Sequence, residues 1–243
     1  MIRLSTWRGA WQLVRFEFKT GWGGIIITGI LFAYMAIMGK AFLDDLFGGE
    51  LSRGASWAPD FIYLAVLPNM GFLMNRTVLH YWRDDPYSRK LAVWRALPIR
   101  VQHIVLGRLL LMALVALPVA LLFFGLQYGL SGSARDTLDP IAYMNFSLFW
   151  FAYSLFFGTM FVYCELGFSG KNYFIISCCS FLFYGPLTYL MWLTGETAIE
   201  RVMNAAVAGS WLPALCACAV ALIGIAFGRR AIERRIHSRD LLS

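Results

Sequence analysis

Six stretches of this sequence stay apolar for about twenty residues each, and a chain built that way has few ways to fold. They run roughly over Trp22–Leu43, Trp57–His80, Ile104–Leu130, Ile141–Leu166, Tyr173–Leu193 and Trp211–Gly228. About 20 mainly apolar residues make a helix long enough to cross the ~30 Å hydrocarbon core of a bilayer. Inside that core every backbone N–H and C=O must be bonded internally, which a helix does by itself. Composition points the same way: 59% of the residues are hydrophobic and 14% charged, where soluble domains have about 45–50% and about 25%. The sequence therefore predicts an all-α, polytopic membrane protein with six transmembrane helices in a single transmembrane domain over residues 1–243. No loop has room for a soluble domain of ordinary size, about 100 residues.

The segments between the runs have characters of their own. In Ile2–Thr20, Leu4, Trp7, Trp11, Val14 and Phe18 recur at steps of three and four, while Arg8, Gln12, Arg15 and Lys19 repeat the rhythm on another face. That periodicity predicts an N-terminal amphipathic helix over residues 1–20, lying in the head-group region with Trp7, Trp11, Arg8, Arg15 and Lys19 at the membrane interface. Between the second and third runs lies YWRDDPYSRKLAVWRALPIRVQHIVLGR, residues 81 to 108, with six basic residues against Asp84 and Asp85. Either aspartate can cap a helix start there, Pro86 suits a first turn, and Leu97-Pro98 ends it. The far loop at SGSARDTLDP reads as short and polar. Thr194–Ser210 reads as a short helix at the far surface, and Gly185-Pro186 as an interruption of the fifth run. Pro68 falls inside the second run and Pro118 inside the third, where a kink is expected.

Charge sets the orientation, because Lys and Arg in short loops resist translocation. Four basic residues precede the first run, seven lie from Arg76 to Arg108, and Lys171 and five tail arginines within 229–243 follow. Only Lys40, Arg53, Arg135 and Arg201 fall on the other side, out of 21 in all. Both termini and the 81–103 segment are thereby predicted to be cytoplasmic. A short helix there, with Leu91, Trp94 and Leu97 among Arg89, Lys90 and Arg95, can offer a soluble partner an apolar knob in a charged collar. Ionisable residues inside spans are costly and raise a functional question. Asp60, Arg76, Arg108 and Glu165 are the candidates, all near span ends, with Glu165 able to pair with Arg76 or Arg108.

Several function classes are excluded by what the residues do not spell. The net charge of +7 belongs to topology and anionic head groups, since no nucleic-acid-binding module occurs along the chain. The five cysteines lack metal or redox spacing, and the three histidines form neither H-E-x-x-H nor a pair at helical spacing. The N-terminus lacks the pattern of a cleaved signal peptide. No G-x-x-x-x-G-K-[ST] loop is present, so any nucleotide-driven motion needs a motor on another polypeptide. Gly125–Gly129 and Gly224–Gly228 have the GxxxG spacing of close helix packing. Two alternatives stay open on these residues: an integral membrane enzyme acting on lipid, and a nucleotide-independent carrier or sensor.

The local pattern SRKLAVWRALPIRVQHIVLGRLL is the most specific in the chain. In it a basic helix ends in Leu97-Pro98-Ile99-Arg100 and leads through Ile104-Val105-Leu106-Gly107-Arg108 into the third span. Together with the order of elements, this resembles the membrane subunit of ABC-2 type transporters, the type V exporter fold. The resemblance implies a permease with a cytoplasmic coupling helix between spans 2 and 3, touching its ATPase through Arg89, Lys90, Leu91, Trp94, Arg95, Leu97, Pro98, Ile99 and Arg100. It implies ABC ATPase subunits as partners, carrying the ATP and Mg. A second permease subunit would complete a homodimer or a related heterodimer, with membrane lipid around it. The chain itself would bind no cofactor and catalyse nothing. The expected setting is a bacterial plasma membrane, and the expected cargo an exported lipid-like, peptide or amphiphilic drug molecule.

Overall fold

A computed structural model of the protein describes residues 6–47, 57–74, 85–96, 99–193, 195 and 197–238. Among these residues all regular structure is helical. Helix α1 covers Thr6–Phe47, and α2 covers Trp57–Val66 and passes into a 3-10 turn at Leu67–Asn69. Then come α3 (Pro86–Ala96), α4 (Val101–Leu130), α5 (Gly132–Thr137), α6 (Pro140–Gly167), α7 (Gly170–Leu193), α8 (Ala198–Val207) and α9 (Leu212–Ser238). Five of them, α1, α4, α6, α7 and α9, are long and apolar enough to cross a membrane. The chain is a multi-pass membrane protein.

Close glycine contacts fix the directions of the long helices. A Cβ on Gly9 would collide with the His103 ring, one on Gly107 would stand 3.2 Å from the Ala10 carbonyl oxygen, and one on Gly39 3.3 Å from Gln127 Nε2. Low numbers meet low and high meet high, so α1 and α4 run parallel. Gly224 against Phe156 and Gly228 against Thr159 make α6 and α9 parallel as well. Arg108 meets Glu165 near one end of α4, and the Tyr143 hydroxyl donates to Phe124 O (3.0 Å) near the other, so α4 and α6 are antiparallel. The bundle therefore has two ends. At one sit α3, the starts of α1, α4 and α7, and the ends of α6 and α9. At the other sit α2, α5, α8 and the starts of α6 and α9.

The amphipathic segment and the first span, expected as two elements, are one unbroken helix. No proline lies between Thr6 and Phe47, and the glycines at the expected junction serve packing instead of ending the helix. Gly21 and Gly24 are buried, and a Cβ on Gly21 would press on Leu73 at 3.1 Å. At 1.5 Å per residue the 42 residues of α1 extend about 63 Å, roughly twice the apolar thickness of a bilayer. Its basic first turns are thus a continuation of the spanning helix.

The second expected span departs further. Pro68 has no N–H, so the carbonyl of Leu64, four residues back, loses its helical partner. The Tyr153 hydroxyl donates to it at 2.8 Å. Ser154 Oγ donates to Leu67 O at 2.7 Å. Thr28 Oγ1 donates to Phe72 O at 2.9 Å and accepts from Met74 N–H at 3.0 Å. Side-chain hydroxyls from α1 and α6 thereby satisfy backbone groups that an apolar medium would leave unpaired at several kcal/mol each. The run 57–80 is not one helix in the described residues; 75–80 lie outside them.

Other boundaries shift for similar reasons. Pro186 does not interrupt the fifth span, since α7 continues through it, and Pro118 likewise sits inside α4. Four of the tail arginines, Arg229, Arg230, Arg234 and Arg235, continue α9, because Ile232 and Ile236, four residues apart, are buried against the bundle; Arg239 lies outside the described residues. The far loop at 131–140 holds α5, capped by Ser131 Oγ, which accepts from Ala134 N–H at 3.0 Å and donates to Asp44 at the end of α1. Only one of the two GxxxG pairs packs: Gly224 and Gly228 meet α6, whereas Gly125 and Gly129 face open space.

Candidate functional site

Helix α3 organises the polar chemistry at its end of the bundle. It starts at a carboxylate: Asp85 Oδ2 accepts from Ser88 Oγ at 2.6 Å and Oδ1 from Ser88 N–H at 3.3 Å, a side-chain N-cap. Lys90 Nζ reaches Glu17 of α1 at 2.6 Å and also lies over the Trp94 ring, 4.7 Å from its centre. Arg95 donates to the Ile236 carbonyl of α9 at 3.4 Å.

Leu91 and Trp94 do not form an outward knob. Leu91 is 1% exposed and Trp94 9%, packed among Ile104, Val105, Leu109 and Met112 of α4, Val162 and Leu166 of α6, and Ile232 and Ile236 of α9. Burying apolar area stabilises by about 25 cal/mol per Å². Three long helices meet at this spot, so both side chains turn inward. The outward face of α3 carries Arg89, Val93 (61% exposed) and Arg95 instead, with Arg100 exposed at the cap of α4. Ile99 packs on the edge of the same apolar cluster. Leu97, Pro98 and Arg76 lie outside the described residues.

Behind α3 sits a buried ion pair. Arg108 Nε and Nη2 donate to Glu165 Oε2 at 2.9 and 2.7 Å, with the side chains only 8% and 6% exposed. The guanidinium also stacks over Phe72, 5.2 Å from its centre, in the chain that follows the break in α2. The pair thus joins α4 to α6 and touches the third element between them. Of the two partners expected for Glu165, Arg108 holds it.

Asp60 works at the opposite end. It is fully buried, and its carboxylate accepts from Ala198 N–H at 2.7 Å and Ile199 N–H at 2.9 Å. A negative charge there faces the positive end of the α8 dipole and satisfies two of its unpaired amides. Thr197 and Glu200 complete that end as a capping box. On α1, Trp7, Trp11, Arg8, Arg15 and Lys19 are all exposed. Sequence reasoning passed over Glu17, though a signal was there: it is the one acidic residue before Asp44. It also passed over Tyr153, Ser154 and Thr28, whose hydroxyls are unremarkable until the break in α2 is seen.

No family model, curated protein or solved structure matches this chain. What the site can do therefore rests on its own geometry. A short helix is wedged into the meeting point of α4, α6 and α9 and tied to α1, so its contacts reach four long helices.

Proposed function

We propose that this chain is the membrane-spanning permease subunit of an ATP-driven ABC transporter, resembling the ABC-2 type. The single observation that carries the reading is α3: buried on the side of Leu91 and Trp94, open on the side of Arg89 and Val93, and seated where the long helices converge. A soluble ATPase pressing on that open face moves the bundle behind it. ATP and Mg belong to the partner, and the absence of a P-loop in this sequence agrees with that division of labour. In this reading the chain that enters the bundle through α2 and its break at Pro68 makes a sixth crossing, so that both termini and α3 belong to the cytoplasm of a bacterial cell. A second permease subunit and lipid cover the exposed faces of α1, α7 and α9. Trp7 and Trp11, beside Arg8, Arg15 and Lys19, meet head groups and the inner surface. The cargo is a lipid-like, peptide or amphiphilic drug molecule, exported.

The test follows from the revised face of α3. Arg89→Glu with Val93→Asp leaves the buried anchor intact and abolishes co-purification of a P-loop ATPase, while the chain still reaches the membrane in normal amount. Reconstituted alone in liposomes the chain is inert; with its ATPase it transports in an ATP-dependent way. Transport or lipid turnover by the purified chain alone would overturn the reading.

A further inference from the structure

One carboxylate at this end of the molecule serves two helices. Besides capping α3 through Ser88, Asp85 Oδ1 accepts from the N–H of Gly170, the first residue of α7, at 2.7 Å. The two donors are 82 positions apart in sequence, and each belongs to a helix start with unpaired amides and a positive dipole end. Asp85 holds this position with φ at +38°, a left-handed conformation that Asp and Asn tolerate better than most residues. Helix α7 packs on α2 and α6 mainly through its second half, around Tyr184 and Phe181, while Gly170 and Tyr173 are the buried residues of its first turns.

We propose that Asp85 is a mechanical joint between α3 and α7, so that the first turn of α3 and the inner end of α7 move as one body. It is a positioning residue: a shift of α3 reaches α7 through the Ser88–Asp85–Gly170 bonds. The inference deepens the permease reading, because a transmitted push is what such a joint would serve. The joint itself is a property of this chain and is tested without a partner.

The experiment is hydrogen exchange by mass spectrometry on the full chain in lipid nanodiscs. Asp85→Gly relieves the backbone strain but removes both caps. Exchange is expected to rise about fivefold in peptides covering the starts of α3 and α7 together, with α4 and α6 unchanged. Asp85→Asn keeps an acceptor and the φ preference and stays near wild type. The decisive arm loosens α3 elsewhere: Lys90→Ala breaks the Glu17 bridge and speeds exchange at the α7 start when Asp85 is present, yet adds nothing there in the Asp85→Gly background. If Asp85→Gly does not assemble, Gly170→Pro replaces it in the double variant, since it removes the N–H that Asp85 accepts at a first helical position that proline suits. A response confined to α3, in either single variant, overturns the joint and leaves Asp85 an ordinary N-cap. Absence of an ATPase partner would sink the permease reading without touching this result.

Discussion

Arg108 and Glu165 show how much a single pair of residues constrains the bundle. Each alone would be a charge held in an apolar layer, and removing one partner of a buried pair costs about 3–5 kcal/mol. Replacing both by apolar groups of similar volume is often neutral. Glu165→Ala and Arg108→Ala are therefore each expected to lower the unfolding temperature in detergent strongly, whereas Arg108→Met with Glu165→Leu recovers most of the loss. Thermal unfolding of the three variants checks this; single variants no worse than the double would mean that the pair carries no mutual stabilisation. The sequence marks both residues because isolated charges in apolar runs stand out. Asp60 stands out too, but its role does not: its donors lie 138 and 139 positions away, on a helix whose docking no local pattern reveals.

At the scale of elements, apolar length made the long helices legible, and the boundaries were lost where tertiary contacts overrode local signals. Three glycines between Thr20 and Ile25 read as a junction, yet two of them are buried and α1 runs on. Arginines at 229–235 read as a tail, yet Ile232 and Ile236 carry α9 onward. The break at Pro68 depends on hydroxyls from other helices, and that dependence gives a prediction. Tyr153→Phe leaves Leu64 O without its donor and is expected to cost about 1–3 kcal/mol, as an unsatisfied buried acceptor does. With Pro68→Ala the new N–H at position 68 can serve the same carbonyl, so Tyr153→Phe becomes nearly silent in that background. A double-mutant cycle of unfolding midpoints measures it; equal losses in both backgrounds would show that Tyr153 acts through something other than Leu64 O.

For the molecule as a whole, two independent observations agree on how its ends are arranged. Helix directions follow from contacts: the starts of α1 and α4, the ends of α6 and α9, and α3 share one end, while α5 and α8 occupy the other. Charge follows from the sequence alone, with arginines and lysines gathered on the segments of the first end. The contacts that set the directions of α1, α4, α6 and α9 involve none of the exposed basic residues, and only α3 is placed by one, Arg95, so for the long helices the coincidence is not built in. Because positive loops stay on the cytoplasmic side, the first end should face inward. In a background without the five native cysteines, Arg89→Cys and Ser238→Cys, both exposed, are expected to react with a membrane-impermeant maleimide only after the cells are opened. Asp136→Cys on α5, also exposed, should react in intact cells. Labelling of Arg89→Cys from outside would place α3 beyond the reach of any cytoplasmic ATPase, and the proposed drive would fail with it. Labelling of Asp136→Cys from inside would instead mean that the ends are correctly paired but the whole bundle is inverted.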